Sequence, residues 1–284
     1  MNRSPTSPAY RALVIDVDGT LVNRQEQLSP TTREALVRAS RAGIHLVLAT
    51  GRRYSRTLHL AEPLGIEVPL ITASGALVKD PRTHQTLYCS VFPEGVLAEI
   101  VAAVLRAGHD PILCADTFAE GFDFYLATED VRSDELREYL RMNPGSGRIA
   151  ADLAERPPAG VFAGFAMGNQ RQMLDLERAL YERLDGNLAT HVLRSPRYTG
   201  FMCEFAPKGV TKWSAVRRLA AAWNLPDGAI CAVGDDVNDL PMIRAAGLGV
   251  AMGNALPEVK AAADRIAPSQ EEDGLVAVVE WVLG

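Results

Sequence analysis

Short apolar runs alternate with amphipathic stretches in the first part of the chain and again near its end. Residues 11–17, 44–50 and 68–73 predict buried strands. The stretch 29–43 between the first two predicts a helix, because its apolar residues recur at helical spacing behind a Ser-Pro start and before a glycine. Strands that are apolar throughout and separated by helices indicate a parallel sheet covered on both faces.

The pattern changes after about residue 82. From there the predicted order is helix, two strands, helix, strand, helix and a final strand pair around Ser195 and Pro196. Strands paired by short turns predict a largely antiparallel sheet, with helices on one face. The first rhythm returns after residue 206, with a strand at 229–234 between helices.

These two rhythms predict the domain organisation. We expect an α/β protein whose core is a doubly wound, mostly parallel, Rossmann-like sheet built from residues 1–82 and 207–284. Residues 83–206 would form an inserted α+β domain. In such sheets ligands bind beyond the carboxyl ends of the strands.

Composition narrows the functional classes. Of the 284 residues 48% are hydrophobic, and the formal net charge of −6 comes without a long basic run, which argues against nucleic acid as a partner. No window reaches the ~18 apolar residues of a spanning helix. The start, MNRSPTSPAY, has no apolar signal core and predicts a disordered lead-in, and the four cysteines are widely spaced. We therefore expect a cytoplasmic protein that does not bind membranes.

Carboxylates follow two of the predicted core strands. Asp16 and Asp18 lie in RALVIDVDGTLV, and Asp235 and its neighbours lie in VGDDVNDLPM. The carboxyl ends of parallel strands meet at one sheet edge, so these like charges should converge and repel each other. A hard cation with a preference for oxygen ligands would offset the repulsion. The sequence therefore predicts a Mg²⁺ site.

The residue types at this edge suit phosphoryl transfer. A carboxylate can attack phosphorus and form an acyl-phosphate, while a second acid protonates the leaving oxygen and later activates water. Thr50 and Gly51 offer a hydroxyl and backbone N–H groups. Lys212 offers an ammonium in the first turn of a helix, behind Thr211 as a plausible N-cap. By contrast, Lys208 lies in a predicted turn as a surface charge.

The segments DVDGTLV, LATGRRY, GVTKWSAV and GDDVNDLPM, in this order, resemble the motifs of the haloacid dehalogenase-like hydrolases. LATGR, GDDVNDLPM and GVAMGNALPEVKAAAD are similar to the Cof-type branch, which carries a large α/β cap of the C2 type where this chain has its insertion. The resemblance implies a Mg²⁺-dependent phosphatase that hydrolyses small phosphate monoesters, such as sugar phosphates or related metabolites, through an aspartyl-phosphate.

The resemblance also implies a role for each matching residue. Asp16 would be the nucleophile and a metal ligand. Asp18 would be the general acid/base and would give the metal its backbone carbonyl, while Asp235 would be the direct metal ligand of the second acidic cluster. The phosphoryl group would be held by Thr50, Gly51, the catalytic Lys212 and Asn238, with Asp239 orienting Lys212.

Two positions depart from the family pattern, and two other functions stay open. Trp213 stands where the family usually has glycine, so its ring fills the core or narrows the site. Ser74 stands in place of a common asparagine, which puts one substrate contact in doubt. One alternative is a phosphomutase or phosphotransferase, which would use the same residues with an acceptor other than water. The other alternative is a non-catalytic protein that binds a phosphate ligand. The sequence names no substrate and leaves monomer and homodimer open.

Overall fold

The structure is a computed structural model, and it describes residues 10–93, 95–184, 186–194 and 198–284. The predicted lead-in up to residue 9 and the predicted turn at Ser195 and Pro196 lie outside the described residues. By its internal contacts the chain divides into two compact units. The core unit comprises the described residues up to Tyr88 and Thr211–Gly284, and the inserted unit comprises those within Cys89–Val210.

Strands and α-helices alternate at the beginning and at the end of the described chain, whereas strands follow one another in twos and threes between residues 70 and 207. In chain order the strands are β1 (Ala12–Asp16), β2 (His45–Ala49), β3 (Leu70–Thr72), β4 (Leu77–Lys79), β5 (Thr86–Cys89), β6 (Ile112–Ala115), β7 (Phe124–Leu126), β8 (Gly147–Ile149), β9 (Val161–Gly168), β10 (Leu188–Leu193), β11 (Phe201–Pro207), β12 (Ile230–Gly234), β13 (Leu248–Ala251) and β14 (Arg265–Ile266). The α-helices are α1 (Pro30–Arg41), α2 (Ser55–Ala61), α3 (Val96–Arg106), α4 (Asp134–Met142), α5 (Gln170–Arg183), α6 (Lys212–Ala222), α7 (Leu240–Ala245), α8 (Pro257–Ala262) and α9 (Gly274–Leu283).

The sheet of the core unit has the order β14-β13-β12-β1-β2-β3-β4-β5 among the described residues. β1 lies inside this sheet, runs parallel to both β12 and β2, and is buried along its whole length. The predicted α/β class with a mostly parallel core sheet is therefore confirmed. The sheet continues through β4, which is antiparallel to β3, and through β5. The apolar pattern did not predict these two strands, because each is short.

The inserted unit contains a sheet of order β10-β11-β9-β6-β7-β8 among the described residues, antiparallel except where β7 pairs with β8. Ala166 of β9 faces the apolar cluster formed with α3 and α5. Its neighbour Phe165 points to the opposite face, where its ring centroid lies 5.1 Å from that of Tyr139 on α4. The prediction of helices on one face is therefore wrong. α4 connects β7 to the parallel, exposed and unpredicted β8, and a parallel connection must cross a face of the sheet.

Within the described ranges, every helix is too short or too polar to span a bilayer. The cysteines are all free thiols: Cys114, Cys203 and Cys231 are buried, and Cys89 is half-buried.

Candidate active site

The candidate site lies at the carboxyl-terminal edge of the core sheet. Asp16 is the last residue of β1 and pairs in register with Ala49, so Thr50 follows at the end of β2. On the other side of β1, the parallel strand β12 ends at Gly234, and Asp235 follows it. Three loops of the sheet thus deliver the predicted site residues to one edge.

Lys212 is the centre of a buried ionic network. Thr211 is the N-cap of α6, as predicted, and places Lys212 at the first position of the helix. The Lys212 ammonium donates hydrogen bonds to Asp16 Oδ1 at 2.5 Å and to Asp239 Oδ1 at 2.7 Å, and lies 3.4 Å from Asn238 Oδ1. Residues almost 200 positions apart in the chain therefore meet in a site from which water is largely excluded.

The network contains more carboxylates than cations. Burial raises the pKa of Asp16 well above its usual range, and Asp239 and Asp235 add to this while Lys212 opposes it. Burial alone would lower the pKa of Lys212, but Asp16 and Asp239 hold it above its usual range. Burial, Asp239 and Asp236 raise the pKa of Asp235 to about 7.

These shifts disagree about the Lys212–Asp16 pair, because one favours a charged lysine and the other a neutral acid. We assign the charge to Lys212, since two carboxylate oxygens lie within hydrogen-bonding distance of its ammonium. The raised pKa of Asp16 then has a simple electrostatic meaning. The cluster lacks positive charge, and a bound cation would supply it.

The donor set fits a hard divalent cation. Asp16, Asp235 and Asp239 each offer a carboxylate oxygen, and these oxygens lie within 4.8 Å of one another. An all-oxygen set is what Mg²⁺ prefers. This group includes Asp239, which the resemblance implies as the residue that orients Lys212 and not as a ligand. The ligand predicted from Asp18 is its backbone carbonyl, and that role stays a prediction.

The Asp235 carboxylate is held from two sides. Thr20 Oγ1 lies 3.3 Å from its Oδ1, and Asn254 Nδ2 lies 3.4 Å from its Oδ2. Asn254 also donates to the Gly19 carbonyl at 2.8 Å and accepts from the backbone N–H of Gln270 at 2.9 Å. Gly19 has φ of 78°, and a Cβ there would lie 2.4 Å from Asp235 Oδ2, so a larger residue would be strained and would displace that carboxylate. Sequence reasoning missed Asn254, which stands in GVAMGNALPEVKAAAD without an assigned role.

The predicted phosphoryl-binding residues lie beside this network. Thr50 is buried, and its Oγ1 accepts from the backbone N–H of Arg52 at 3.1 Å. A Cβ on Gly51 would come within 3.3 Å of Ser74 Oγ and 4.0 Å of Asn238 Nδ2. The structure thus brings Gly51 next to Ser74 and Asn238, and their roles in binding stay predictions.

A left-handed turn fixes the start of α6. Ala73 and Ser74 have φ of 47° and 54°, which is strained for residues other than glycine, and Gly75 follows with φ of 110°. A Cβ on Gly75 would lie 2.1 Å from the Thr211 carbonyl oxygen. The close approach of these two backbones places the turn directly against the N-cap of α6.

The departure at Trp213 has a packing explanation. Trp213 is partly buried and packs against the apolar cluster of the core sheet that contains Val14 and Val47. The structure therefore supports the interpretation in which the Trp213 ring fills the core, and not the one in which it narrows the site.

Asp18 lies outside the Lys212 network and is held by Arg52. The Asp18 side chain is 44% exposed, and Arg52 contacts both of its oxygens, with Nε donating to Oδ2 at 2.8 Å and Nη2 to Oδ1. Nη1 of Arg52 contacts Glu26. Arg52 stands in LATGRRY, and the sequence assigned it no role. Its place two residues after Thr50, at the same sheet edge as Asp18, is the signal that could have found it.

Comparison with known proteins supports a family assignment. The family model of the haloacid dehalogenase-like hydrolases matches residues 13–279. The chain is 29% identical to Phosphatase YwpJ of Bacillus subtilis, with 96% of this chain and all of that protein covered. It is 26% identical to 5-amino-6-(5-phospho-D-ribitylamino)uracil phosphatase YitU of the same organism, over 93% of this chain and 94% of that one.

A solved structure supports the same fold. A haloacid dehalogenase-like hydrolase from Bacteroides thetaiotaomicron is similar with a TM-score of 0.78 and 28% identity, over 95% of this chain and 98% of that one. This chain belongs to the haloacid dehalogenase-like hydrolases. The predicted membership in this superfamily and in its Cof-type branch is confirmed.

Proposed function

We propose that this protein is a Mg²⁺-dependent phosphatase that hydrolyses small phosphate monoesters through an aspartyl-phosphate on Asp16. The observation that carries the proposal is the buried contact of Asp16 with Lys212, beside Asp235 and Asp239 at one sheet edge. Curated relatives that are named phosphatases and match nearly the whole chain support the enzyme class, a phosphoric monoester hydrolase.

In the first step Asp16 attacks the phosphorus atom. One carboxylate oxygen of Asp16 forms the new P–O bond while the bond to the leaving oxygen breaks, and Asp18 gives that oxygen its proton. Lys212 stabilises charge on the phosphoryl oxygens, together with Thr50 and the backbone N–H groups at Gly51. The products are the free alcohol and the phosphorylated Asp16.

In the second step water replaces Asp16 on phosphorus. Asp18, now ionised, accepts a proton from the water as its oxygen attacks, and the bond between phosphorus and the Asp16 oxygen breaks. Inorganic phosphate leaves, and both carboxylates return to their starting states. A phosphomutase would differ only here, with a sugar hydroxyl in place of water.

The proposed cofactor is Mg²⁺, which the Asp16 carboxylate, the Asp18 backbone carbonyl and the Asp235 carboxylate would hold. When bound, it neutralises charge on the phosphoryl group and aligns it for in-line displacement. The raised pKa values of Asp16 and Asp235 support this cofactor, because they express a shortage of positive charge that a divalent cation relieves.

The proposed substrates are sugar phosphates or related metabolites, with the predicted inserted domain (residues 83–206) as the cap that sets the preference among them. The core residues grip a phosphoryl group and offer little to the rest of a substrate. The named substrate of YitU, a phosphorylated ribityl compound, supports this class. Substitutions in the inserted unit should change the ranking of substrates and leave basal hydrolysis of p-nitrophenyl phosphate intact.

A panel of phosphate monoesters, assayed with and without Mg²⁺, tests the proposal. We expect release of inorganic phosphate from several small esters, which stops on chelation and returns with Mg²⁺. Turnover that survives thorough chelation would contradict the metal assignment. Transfer of phosphate to a sugar without release of inorganic phosphate would establish the mutase instead.

The proposal extends to the cellular compartment and the oligomeric state of the protein. We propose a cytoplasmic enzyme, because its free and mostly buried thiols suit a reducing compartment. We propose a monomer or homodimer, which light scattering during size-exclusion chromatography distinguishes from larger assemblies.

A further inference from the structure

We propose that Arg52 is a positioning residue that holds Asp18 in the orientation its acid/base role requires. The inference rests on the proposed function, because it concerns how Asp18 works in that reaction. Two basic side chains bind different acids of the site. Lys212 binds Asp16 and Asp239 inside the protein, whereas Arg52 binds Asp18, which is more exposed.

The contact with Asp18 is of the strong, directional kind. The Arg52 guanidinium reaches both carboxylate oxygens, and two parallel hydrogen bonds fix the plane of the carboxylate as well as its position. The clamp uses one lone pair on each oxygen of Asp18, so one oxygen can still carry the proton that it gives to the leaving group and can later accept a proton from water. Without it, a carboxylate as exposed as that of Asp18 would sample several rotamers in water.

Arg52 is itself fixed by its surroundings. Its side chain is 11% exposed, and its third guanidinium nitrogen contacts Glu26. Its backbone N–H donates to Thr50 Oγ1 at 3.1 Å, and its carbonyl accepts from the N–H of Ala73 at 2.9 Å. Arg52 therefore acts as a rigid support for Asp18, in contrast to a solvated surface arginine.

The Glu26 anchor lies in a tight turn. Glu26 has φ of 61°, and Asn23 Oδ1 accepts from the N–H groups of Gln25 and Gln27 at 3.0 and 2.9 Å. This turn, eight residues after Asp18 in the chain, places the Glu26 carboxylate against Nη1 of Arg52. Arg52 is thus bound between two acids, only one of which belongs to the proposed chemistry.

A misplaced general acid slows an ester with a poor leaving group more than one with a good leaving group, whereas damage to the fold does not distinguish them. A poor leaving group needs its proton during bond breaking, whereas p-nitrophenolate leaves well without one. Loss of the clamp should therefore slow phenyl phosphate much more than p-nitrophenyl phosphate, although the two esters have nearly the same shape. Loss of phosphate binding or of folding would slow both alike.

The test compares Arg52→Met and Arg52→Lys with Arg38→Met on both esters. Arg38 is the matched control, because it also contacts a carboxylate, Glu280, at an exposed place away from the site. We expect Arg52→Met to lower kcat/KM about 10²-fold on phenyl phosphate and less than about tenfold on p-nitrophenyl phosphate. Arg52→Lys keeps the charge without the two-point contact and should recover only part of the loss. Arg38→Met should change neither by more than about twofold.

Two further measurements show whether the loss of Arg52 acts through Asp18 or through the metal site. In an Asp18→Asn background, Arg52→Met should have almost no additional effect, because the group it positions is gone. Binding of Mn²⁺ to Arg52→Met, followed by its electron paramagnetic resonance signal, should match wild type, which excludes damage to the metal site. Equal losses on both esters, additive losses with Asp18→Asn, or weakened Mn²⁺ binding would each overturn the inference while the wild type still turns over. A wild type that hydrolyses no ester would overturn the proposed function and this inference with it.

Discussion

The core unit and the inserted unit treat charge in opposite ways. Among the described residues, the core unit buries Asp16, Lys79, Lys212 and Asp239, whereas the inserted unit buries no Asp, Glu, Lys or Arg. Its ion pairs, such as Arg148 with Glu120, lie at half-exposed side chains. Burying an ion is expensive unless its partners compensate, while exposed pairs add little to stability.

The different treatment of charge suits different tasks in the two units. The core unit keeps buried charges where the proposed chemistry needs them, and it surrounds each with partners of fixed geometry. The inserted unit is stabilised by an apolar interior, and its charged side chains lie outside that interior. Lys79 shows that burial alone is not the criterion: it donates to Thr86 Oγ1 at 2.9 Å and lies 5.3 Å from the centroid of the Tyr54 ring, outside the acidic cluster.

The largest effect should come from the proposed nucleophile. Asp16→Asn is nearly isosteric, but an amide is a poor nucleophile, so we expect kcat to fall by about 10⁴-fold or more. Covalent labelling by substrate phosphate should disappear while the circular dichroism spectrum is kept. Asp130→Asn, at an exposed position of the inserted unit, is the control and should act like wild type. A tenth of the wild-type rate in Asp16→Asn would rule out the covalent mechanism.

The next contrast compares two lysines, one in each unit. Lys212→Ala removes the buried ammonium beside Asp16 and should lower kcat/KM by roughly 10²–10³-fold. Lys208 is exposed and lies 3.4 Å from Asn187 Oδ1, so Lys208→Ala should cost less than about tenfold. Steady-state kinetics of both variants on one ester decide the order. The reverse ranking would move the phosphate site away from the start of α6.

Two glycine substitutions extend the comparison to the backbone. Gly75→Ala would force a Cβ against the Thr211 carbonyl and displace the start of α6, so kcat/KM should fall by about 10-fold to 10²-fold. Gly164→Ala would push a Cβ against Phe205 in the interior of the inserted unit, which should lower the free energy of unfolding by about 1–3 kcal/mol.

The readouts of this pair are the thermal midpoint and the hydrolysis of p-nitrophenyl phosphate below it. We expect Gly164→Ala to melt earlier and keep its rate within about threefold. A folded Gly164→Ala protein without activity would contradict the separation of tasks between the units.

The smallest effect concerns pH and the metal. Because the pKa of Asp235 is raised to about 7, protons compete with Mg²⁺ below that pH, and affinity should weaken by roughly tenfold from pH 7.5 to pH 6. Isothermal titration calorimetry at both values measures this. A flat affinity over this range would exclude Asp235 as a ligand with a raised pKa.

The raised pKa of Asp235 also predicts how the stability of the metal-free protein depends on pH. An acid whose pKa is raised on folding favours the folded state below its unfolded pKa, near 4, and this contribution is lost as the pH rises through about 7. With chelator present, the thermal midpoint should therefore fall between pH 5 and pH 7.5. Saturating Mg²⁺ should reduce that fall, because the cation stabilises the ionised carboxylates.

Much of the core could be predicted from the sequence, since apolar strands and helix caps are local signals. The meeting of β1, β2 and β12 at one edge follows from parallel topology, and so the neighbourhood of Asp16 and Asp235 could be anticipated. β8 could not, because Gly147–Ile149 is short and exposed and carries no apolar pattern. The side of the sheet that α4 occupies depended on that missed strand.

Within the site, contacts of long side chains escaped sequence reasoning. The clamp of Arg52 on Asp18 depends on a left-handed residue at Glu26 and on the rotamers of two charged side chains. The three hydrogen bonds of Asn254 join loops that are distant in sequence. Neither arrangement leaves a periodicity in the chain, and only packing in three dimensions reveals it.

The place of β1 between β2 and β12 has a consequence for synthesis on the ribosome. β2 emerges soon after β1, but β12 begins at Ile230, which at 5–20 residues per second follows about 10 to 40 s later. By then the whole inserted unit, within Cys89–Val210, has been synthesised. The nascent chain therefore carries Ala12–Asp16 with the backbone N–H and C=O groups of one edge unpaired through most of its elongation, and such an edge on an apolar strand is a template for pairing with another chain.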